Sequence, residues 1–356
     1  MVDRVQDDHQ LDLQLSERQS AVLRALVTGY VGEAAPVGSA SISYLLPVSL
    51  SSASIRNTMA ELSELGLIEQ PHKSAGRVPT AQGLRQFVDH LMGPAELAPY
   101  DRRSLDHSFG EVEARAAVHL TSELLSHHTG QLGFVTSPRL ERVELRHVSL
   151  VRLSTEKLLV VLVSKTGQPH QRVISDPGSG DQAELDRVAA LLNERVVGRT
   201  LPQLRAVLVQ EMRDLRAEAN TLIRRALALG LLAVEATGDD PADLVIVTRL
   251  ALLGQPEFHD PERLRELFEV IEARGFLVEL LDQLLRGDVS VAFGEELDDP
   301  GLRRCAVVLA PYGGDVPPLG AVGVIGPSRM NYGRVIPLVG YCSQLITAKI
   351  TENPSA

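Results

Sequence analysis

The stretch from residue 50 to residue 80 constrains the fold of this chain more than any other part of the sequence. It opens with the serine cluster Ser51-Ser52-Ala53-Ser54, whose hydroxyl groups suit the capping of a helix. Apolar residues then recur at spacings of three and four, which predicts one buried face of a helix formed by Ile55, Met59, Leu62 and Leu65. Gly66 is expected to end this helix.

A short strand and a basic turn follow the predicted helix. Residues 67–70 have strand composition, and residues 71–77, PHKSAGR, form a tight polar turn. Arg56, Asn57 and Thr58 lie near the helix start on the face opposite the apolar residues. A helix of this kind followed directly by a basic hairpin is typical of a winged helix-turn-helix. In that fold the helix enters the major groove and the hairpin contacts the phosphates.

Two more helices are predicted upstream of this stretch. Ser16 is placed to cap a helix that ends at Gly32 and Pro36, and a short helix is predicted over residues 39–46. Three short helices and a hairpin within about seventy residues are the elements of a winged helix. A small helical domain used for protein contacts is the alternative that this pattern leaves open.

The distribution of charge favours DNA binding more than the net charge does. The formal net charge is −11, which is unusual for a protein that binds nucleic acid. The segment 70–86, however, carries Lys73, Arg77 and Arg85 and no acidic residue. Acidic residues are concentrated elsewhere, at 7–8, 239–240 and 295–299. A small basic footprint on an acidic body suits a site-specific DNA-binding protein.

The sequence indicates a cytoplasmic protein without a membrane segment. No apolar run approaches the eighteen or so residues that a membrane helix needs, and the acidic N-terminus is unlike a signal peptide. Cys305 and Cys342 lie far apart among apolar residues and are expected to be reduced thiols in the protein core.

Three segments of the chain resemble the HrcA family of heat-inducible transcription repressors. They are PVGSASIS at 36–43, SIRNTMAELSELGLIEQPHKSAGRVPT at 54–80 and LGAVGVIGPSRMNYGRVIPLV at 319–339. The resemblance implies a homodimer that binds double-stranded DNA at an inverted-repeat operator, the CIRCE element, upstream of chaperone operons of the groE and dnaK type. It also implies that transcription is prevented until heat shock and that the GroE chaperonin modulates the repressor. Such a repressor would be associated with the nucleoid when bound to its operator.

The resemblance and the residue patterns together predict an α+β, multidomain fold. It comprises an N-terminal winged helix-turn-helix, a GAF-like α/β domain and an inserted, mainly helical dimerisation domain. The expected limits are a disordered tail at 1–14, the winged-helix domain at 15–93, a linker at 94–104, the GAF-like domain at 105–180 and 244–352, and the insertion at 181–243. Strand-like runs within 132–174 are assigned to the GAF-like sheet, and the last helix, 332–350, is expected to be interrupted near Pro337 and Gly340. The pattern does not separate burial of the inserted helices within one subunit from burial across a dimer.

No enzymatic motif, cofactor site or metal site is expected. Gly320, Gly323 and Gly326 have the wrong spacing for a dinucleotide fingerprint and are interpreted as a structural turn after a buried strand. The pair His127-His128 is interpreted as a helix C-terminal cap rather than a metal site. The acidic residues within 295–299 are interpreted as a solvated loop rather than a divalent-cation site.

The residues predicted to contact DNA lie in the three winged-helix elements. Arg56 and Asn57 are assigned to base edges, because arginine suits guanine and asparagine suits adenine. The alternatives are an Arg56–Glu61 ion pair and a buried capping role for Asn57. The full predicted set is Ser39, Ser51, Ser52, Ser54, Arg56, Asn57, Thr58, His72, Lys73, Ser74 and Arg77. The alternative functions are a GAF-type regulator that senses a small molecule and an interaction adaptor.

Overall fold

The computed structural model describes residues 14–351, except 74, 111, 139, 166, 168, 177–180, 215–220, 239–243, 286 and 315–317. The tail predicted over 1–14 therefore lies almost entirely outside the described residues. No helix in the described part of the chain is long and apolar enough to cross a membrane.

The N-terminal unit is a winged helix, and local sequence signals set its helix limits. Ser16 caps the first helix, since its hydroxyl accepts from the Gln19 amide and the Gln19 side chain accepts from the Ser16 amide. The last helix of this N-terminal unit is followed directly by a π-helical turn at Phe87–Leu91. The elements are α1 (Glu17–Glu33), α2 (Ser39–Leu45), α3 (Ser52–Glu64), β1 (Ile68–Glu69), β2 (Val78–Pro79) and α4 (Ala81–Gln86).

The wing is an antiparallel pair, β1–β2, that is extended by the segment between α1 and α2. Ile68 pairs with Pro79 and Glu69 with Val78. Arg77 and Val37 exchange backbone hydrogen bonds of 2.8 and 2.9 Å, which joins the wing base to the chain before α2. A Cβ atom on Gly76 would lie 2.5 Å from the Val37 carbonyl oxygen, so this close approach requires glycine.

The remaining elements follow in chain order. They are α5 (Pro99–Gly110), α6 (Ala114–Thr129), β3 (Leu132–Thr136), β4 (Leu145–Arg152), β5 (Lys157–Ser164), β6 (Pro169–Ser175), α7 (Gln182–Val196), α8 (Leu201–Asp214), α9 (Thr221–Gly238), β7 (Leu244–Val245), α10 (Pro261–Glu272), α11 (Arg274–Leu284), β8 (Ser290–Phe293), β9 (Cys305–Tyr312), β10 (Gly320–Pro327) and α12 (Tyr332–Thr351).

A five-stranded antiparallel sheet, in the order β7-β3-β10-β9-β8, forms the centre of the C-terminal part. Alternate residues of its strands face two different cores. In β9, Ala306 and Val308 join the core that α12 and the winged helix share, whereas Val307 and Leu309 join the core beneath α10 and α11. Because both faces are covered, β9 and β10 are almost continuously apolar.

A second, three-stranded antiparallel sheet, in the order β4-β5-β6, packs with α7, α8 and α9 around a separate core. The strand-like runs predicted within residues 132–174 therefore do not all belong to one sheet. The first strand, β3, lies in the central sheet, whereas the later strands lie beside the inserted helices. The α+β class is confirmed. The described part of the predicted insertion at 181–243 consists of the helices α7, α8 and α9, and the limits of this domain stay a prediction.

Three other local predictions were wrong. The linker predicted over 94–104 ends early, because α5 begins at Pro99 and buries Asp101 and Leu105. The glycines within 320–326 lie inside β10 rather than in a turn after it. Helix α12 runs without a break through Pro337 and Gly340.

Candidate nucleic-acid interface

Helix α3 is held to the winged-helix core by one apolar face. Ile55 and Leu62 are fully buried and Met59 nearly so. Leu65, predicted on the same face, is 37% exposed because the helix ends at Glu64. Ser51 caps the helix, since its hydroxyl accepts from the Ser54 amide over 3.2 Å.

The opposite face of α3 presents Arg56 and Asn57 side by side. Both side chains are exposed, as predicted, on the N-terminal half of the helix. Thr58 is fully buried and donates its hydroxyl to the Ser54 carbonyl oxygen over 3.1 Å. The prediction that Thr58 contacts DNA is therefore wrong, because its position one residue before Met59 rotates it towards the core.

The alternative roles considered for Arg56 and Asn57 are not formed. Glu61 accepts instead from the Arg18 guanidinium over 3.3 Å and from the Gln19 side-chain amide over 3.0 Å, both in α1. Among the residues that the structure describes, no ion pair of Arg56 is found. Asn57 is exposed, so it is not a buried capping amide.

The predicted serines lie at two helix starts. Ser51 and Ser52 are exposed at the N-terminus of α3, and Ser54 is half-buried one turn further on. Backbone amides at a helix N-terminus attract anions, so this end of α3 suits a DNA phosphate. Ser39 is half-buried at the first position of α2.

The wing tip is shaped by the side chain of Gln70. Its amide donates to the Lys73 and Ala75 carbonyl oxygens over 3.1 and 2.9 Å. His72 and Lys73 are exposed beyond this contact, and Arg77 is half-buried at the wing base. Ser74, predicted to contact DNA, lies outside the described residues.

Arg85 does not belong to the basic footprint in which its sequence position placed it. Its guanidinium binds Glu296, which lies within the acidic segment predicted to be solvated. The exposed arginine and lysine side chains on α3 and on the described part of the wing are therefore Arg56 and Lys73, with Arg77 half-buried at the wing base.

The histidine pair was predicted to cap a helix C-terminus, but His128 makes a different contact. His128 is buried, and its Nδ1 lies 3.1 Å from Asp101 Oδ1 rather than at a backbone carbonyl group. Arg334 donates to the same carboxylate over 3.1 and 3.3 Å. Burial raises the pKa of Asp101, but hydrogen bonds from Arg334 and His128 outweigh burial and hold it below its usual range. These contacts join α5, α6 and α12.

Cys305 and Cys342 are buried free thiols, and burial raises the pKa of each to about 12, so both stay protonated. No cluster of metal-ligating side chains is found among the described residues. A cleft of about 970 Å³ beside α12 is lined partly by polar groups that bond to one another. Examples are Thr347 to the Ser343 carbonyl oxygen at 2.7 Å and Arg142 to the Pro318 carbonyl oxygen at 3.0 Å.

Comparison with known families matches both parts of the chain. Residues 14–89 match the family model described as winged helix-turn-helix transcription repressor, HrcA DNA-binding, and residues 115–336 match HrcA protein C terminal domain. A heat-inducible transcription repressor HrcA of Rhizobium etli is 38% identical over 96% of each chain. The repressor of the same name from Geobacter sulfurreducens is 35% identical over 94% of this chain and 97% of its own length.

A solved structure has the same fold. The crystal structure of a hypothetical protein, at 22% identity, aligns with a TM-score of 0.60 over 96% of this chain and 100% of its own. At this identity the likeness concerns the fold alone.

Proposed function

The chain belongs to the HrcA family of heat-inducible transcription repressors, and from this premise we propose that it acts as a homodimer on an inverted-repeat operator. The proposed operator is the CIRCE element upstream of chaperone operons of the groE and dnaK type, whose transcription it prevents until heat shock. Binding DNA through a winged helix requires no catalytic group.

The observation that carries this proposal is the exposed pair Arg56 and Asn57 on a helix whose other face is buried. With Glu61 bound to α1, the Arg56 guanidinium is available to pair with guanine O6 and N7, and Asn57 suits adenine N6 and N7. Each such pair is worth roughly 1–3 kcal/mol of discrimination against the wrong base.

The surrounding groups suit contacts to the DNA backbone. Ser51, Ser52 and Ser54 at the start of α3, with Ser39 at the start of α2, are proposed to bind phosphates. His72, Lys73, Ser74 and Arg77 are proposed to place the wing on the backbone or in the minor groove. These contacts fix the register of the protein but carry no sequence information.

A homodimer is supported by the outer face of the three-stranded sheet. The inner face packs on α7 and α9, whereas the outer face presents Val151, Leu159 and Val173 in one cross-strand row. Val151 and Val173 are 41% and 54% exposed, and Leu153 beside them is 53% exposed. A contiguous apolar patch of this kind is typical of an interaction surface. A twofold dimer would use the same patch on both subunits.

Analytical ultracentrifugation of full-length variants tests the dimer. A Val173→Lys substitution places a charge in the middle of the apolar row, and we expect it to shift the protein towards monomer. Val197→Lys is the matched control, because Val197 is 63% exposed at the end of α7. Equal sedimentation of the Val173→Lys variant and the wild type would count against this face as the interface.

The GroE chaperonin is the proposed modulator. Unfolded protein that occupies the chaperonin would then leave less chaperonin to keep the repressor active, and the operon would be released from repression. Operator binding measured with and without chaperonin, at growth and heat-shock temperatures, tests this step. The proposal expects chaperonin to raise the fraction of active repressor, and an operator affinity that does not respond to chaperonin would contradict it.

Regulation by a small molecule is the alternative function, and the cleft beside α12 is where such a ligand would have room. A thermal-shift screen against nucleotides and metabolites discriminates between the two, because a ligand that binds only the native state raises the melting temperature.

A further inference from the structure

Arg85 joins the winged helix to one edge of the five-stranded sheet. From α4 its guanidinium donates to the Val291 carbonyl oxygen in β8 over 2.7 Å and to Glu296 Oε1 over 3.2 Å. Its second bond to Glu296, through Oε2, makes the pair bidentate. The guanidinium also lies 4.8 Å from the centroid of the Phe293 ring. One side chain of the winged helix therefore binds three groups of the C-terminal part.

The groups that accept Arg85 are held in place by the sheet. Glu296 Oε2 also accepts from the Phe293 amide over 2.9 Å, which closes the short 3₁₀ helix Gly294–Leu297. The Phe293 ring is fully buried and packs edge-on against Tyr332, at 5.5 Å between ring centroids. Because the carboxylate and the ring are both fixed, Arg85 has one defined position.

Helix α4 is equally fixed to the rest of the winged helix. Thr80 caps it and also donates to the Gly66 carbonyl oxygen over 2.7 Å at the end of α3. Arg24 in α1 donates to the Leu91 carbonyl oxygen over 3.1 Å, which anchors the turn that follows α4. A displacement of Arg85 would therefore move the whole winged helix, including α3.

The covalent connection does not supply this rigidity. Residues 92–98, between the π-helical turn and α5, form neither helix nor strand. Relative motion is the default for domains joined by such a segment unless an interface restrains it. Here the interface consists of the apolar core that the winged helix shares with α12 and of the polar contacts of Arg85. The Arg85 contact leaves Arg56, Asn57 and Lys73 exposed, so it restrains the winged helix without covering the surface that reads DNA.

We propose that Arg85 is a positioning residue for DNA recognition. Its directional contacts, added to the shared apolar core, hold each winged helix at one angle to the sheet. The two α3 helices of a dimer then lie at one separation and select one spacing of half-sites. This inference rests on the proposed function as a dimer on an inverted repeat. Dimers of this kind bind half-sites whose spacing mirrors the separation of their recognition helices.

The test is a binding titration of full-length Arg85→Ala on duplexes whose half-sites are separated by the preferred spacer or by a spacer changed by one to five base pairs. A duplex with a single half-site completes the set. We expect Arg85→Ala to lose about tenfold in affinity at the preferred spacing. Once one winged helix is bound, a loosely held second winged helix has a lower effective concentration at its own half-site. Affinity for the single half-site should stay within about twofold, since α3 and the wing are unchanged.

Arg265→Ala is the matched control. Arg265 pairs with Glu269 within α10 over 2.9 Å, and its side chain is 80% exposed. This variant should keep the wild-type spacing preference. A spacing preference in Arg85→Ala equal to that of the wild type would overturn the proposal, as would an equal loss on the single half-site.

Glu296→Gln decides the question if Arg85→Ala does not fold, as judged by circular dichroism. Its amide oxygen still accepts from the Phe293 amide, but the charge that binds Arg85 is gone. A flattened spacing preference supports the proposal and an unchanged preference overturns it. A wild-type chain that binds one half-site as tightly as the repeat would instead contradict the dimeric function itself.

Discussion

At the scale of single residues, the exposed face of α3 carries the proposed sequence discrimination. Arg56 and Asn57 are adjacent and exposed, and the nearest acid on the same helix, Glu61, is bound to α1. Loss of a base contact and loss of a phosphate contact change the affinities for cognate and random DNA differently, because only the base contact depends on DNA sequence.

An Arg56→Ala variant should lose affinity for the cognate operator selectively. We expect a loss of roughly tenfold to a hundredfold, equivalent to about 1–3 kcal/mol, because one bidentate contact to guanine disappears. Affinity for random DNA should change much less. The measurement is a gel-shift titration on both duplexes, and an equal loss on both would assign Arg56 to the phosphates.

A Lys73→Ala variant should weaken binding to both duplexes. Removal of one phosphate contact lowers the salt dependence, so the slope of log affinity against log salt should fall in magnitude by about one. Affinity titrations at several salt concentrations give this slope directly. An unchanged slope would show that Lys73 makes no phosphate contact.

The sequence predicts which residues of α3 are exposed, but it does not predict contacts between distant segments. Helical periodicity places Arg56 and Asn57 opposite Ile55 and Leu62, since that argument needs only neighbouring residues. It fails for Thr58, which lies at the border of the apolar face and bonds within its own helix. The partners of Arg85 are more than two hundred residues away in sequence, at 291 and 296, so no local pattern indicates them.

At the scale of elements, close backbone approaches define the winged helix. Gly83 lies inside α4 where the helix crosses the end of the α3–β1 connection. A Cβ atom at this position would lie 1.9 Å from the Leu67 carbonyl oxygen. Gly32, near the end of α1, has nothing within 4 Å of its Cβ position. The two glycines therefore form a matched pair for testing the packing of α4.

A Gly83→Ala variant should destabilise the winged helix by about 3 kcal/mol, since neither backbone can move aside without loss of packing. Gly32→Ala should be neutral or stabilise by up to about 1 kcal/mol, because alanine favours a helix. Thermal unfolding followed by circular dichroism compares the two. Equal melting temperatures would contradict the close approach of α4 to Leu67.

The carboxylate of Asp101 stabilises the junction of α5, α6 and α12. The lowered pKa of Asp101 means that its charge stabilises the fold above the ordinary carboxyl pKa of about 4, and that this contribution is lost as the pH falls below that value. An Asp101→Asn variant should be less stable at neutral pH by about 2 kcal/mol, as it loses charged hydrogen bonds to Arg334 and His128.

Melting temperatures measured from pH 7 to pH 3 check this expectation. The difference between the wild type and Asp101→Asn should narrow at the acidic end. Asp106→Asn is the control, because Asp106 is exposed on the same helix and bonds only to Tyr341 in the described structure. A difference that stays constant over the whole pH range would argue against an ionised Asp101.

Capping signals predicted the limits of several helices, whereas strand pairing was not predictable. Ser16 and Ser51 mark the starts of α1 and α3 through local hydrogen bonds. The division of residues 132–175 between two sheets depends on pairing of β3 with β10, nearly two hundred residues later. The sequence pattern indicates that a segment is a strand but not which strand it pairs with, so β4, β5 and β6 were wrongly assigned to the same sheet as β3.

At the scale of the whole molecule, the described residues form three separate hydrophobic cores. The winged helix and α12 share one core, the helices α10 and α11 cover a second, and the three-stranded sheet with α7–α9 encloses a third. The third core leaves an apolar outer face on its sheet, and the first core joins the winged helix, which includes α3, to α12. This arrangement suits a dimer whose contact lies far in sequence from the residues that read DNA.

The central claim is that two chains read one inverted repeat through α3. A fluorescence-anisotropy titration of the full chain on three duplexes of equal length tests it most directly: the intact repeat, a repeat with one half scrambled, and random sequence. We expect two chains to bind each intact repeat, with an affinity about a hundredfold above that for the half-scrambled duplex. Equal affinity for the intact and half-scrambled duplexes, with one chain bound to each, would contradict it.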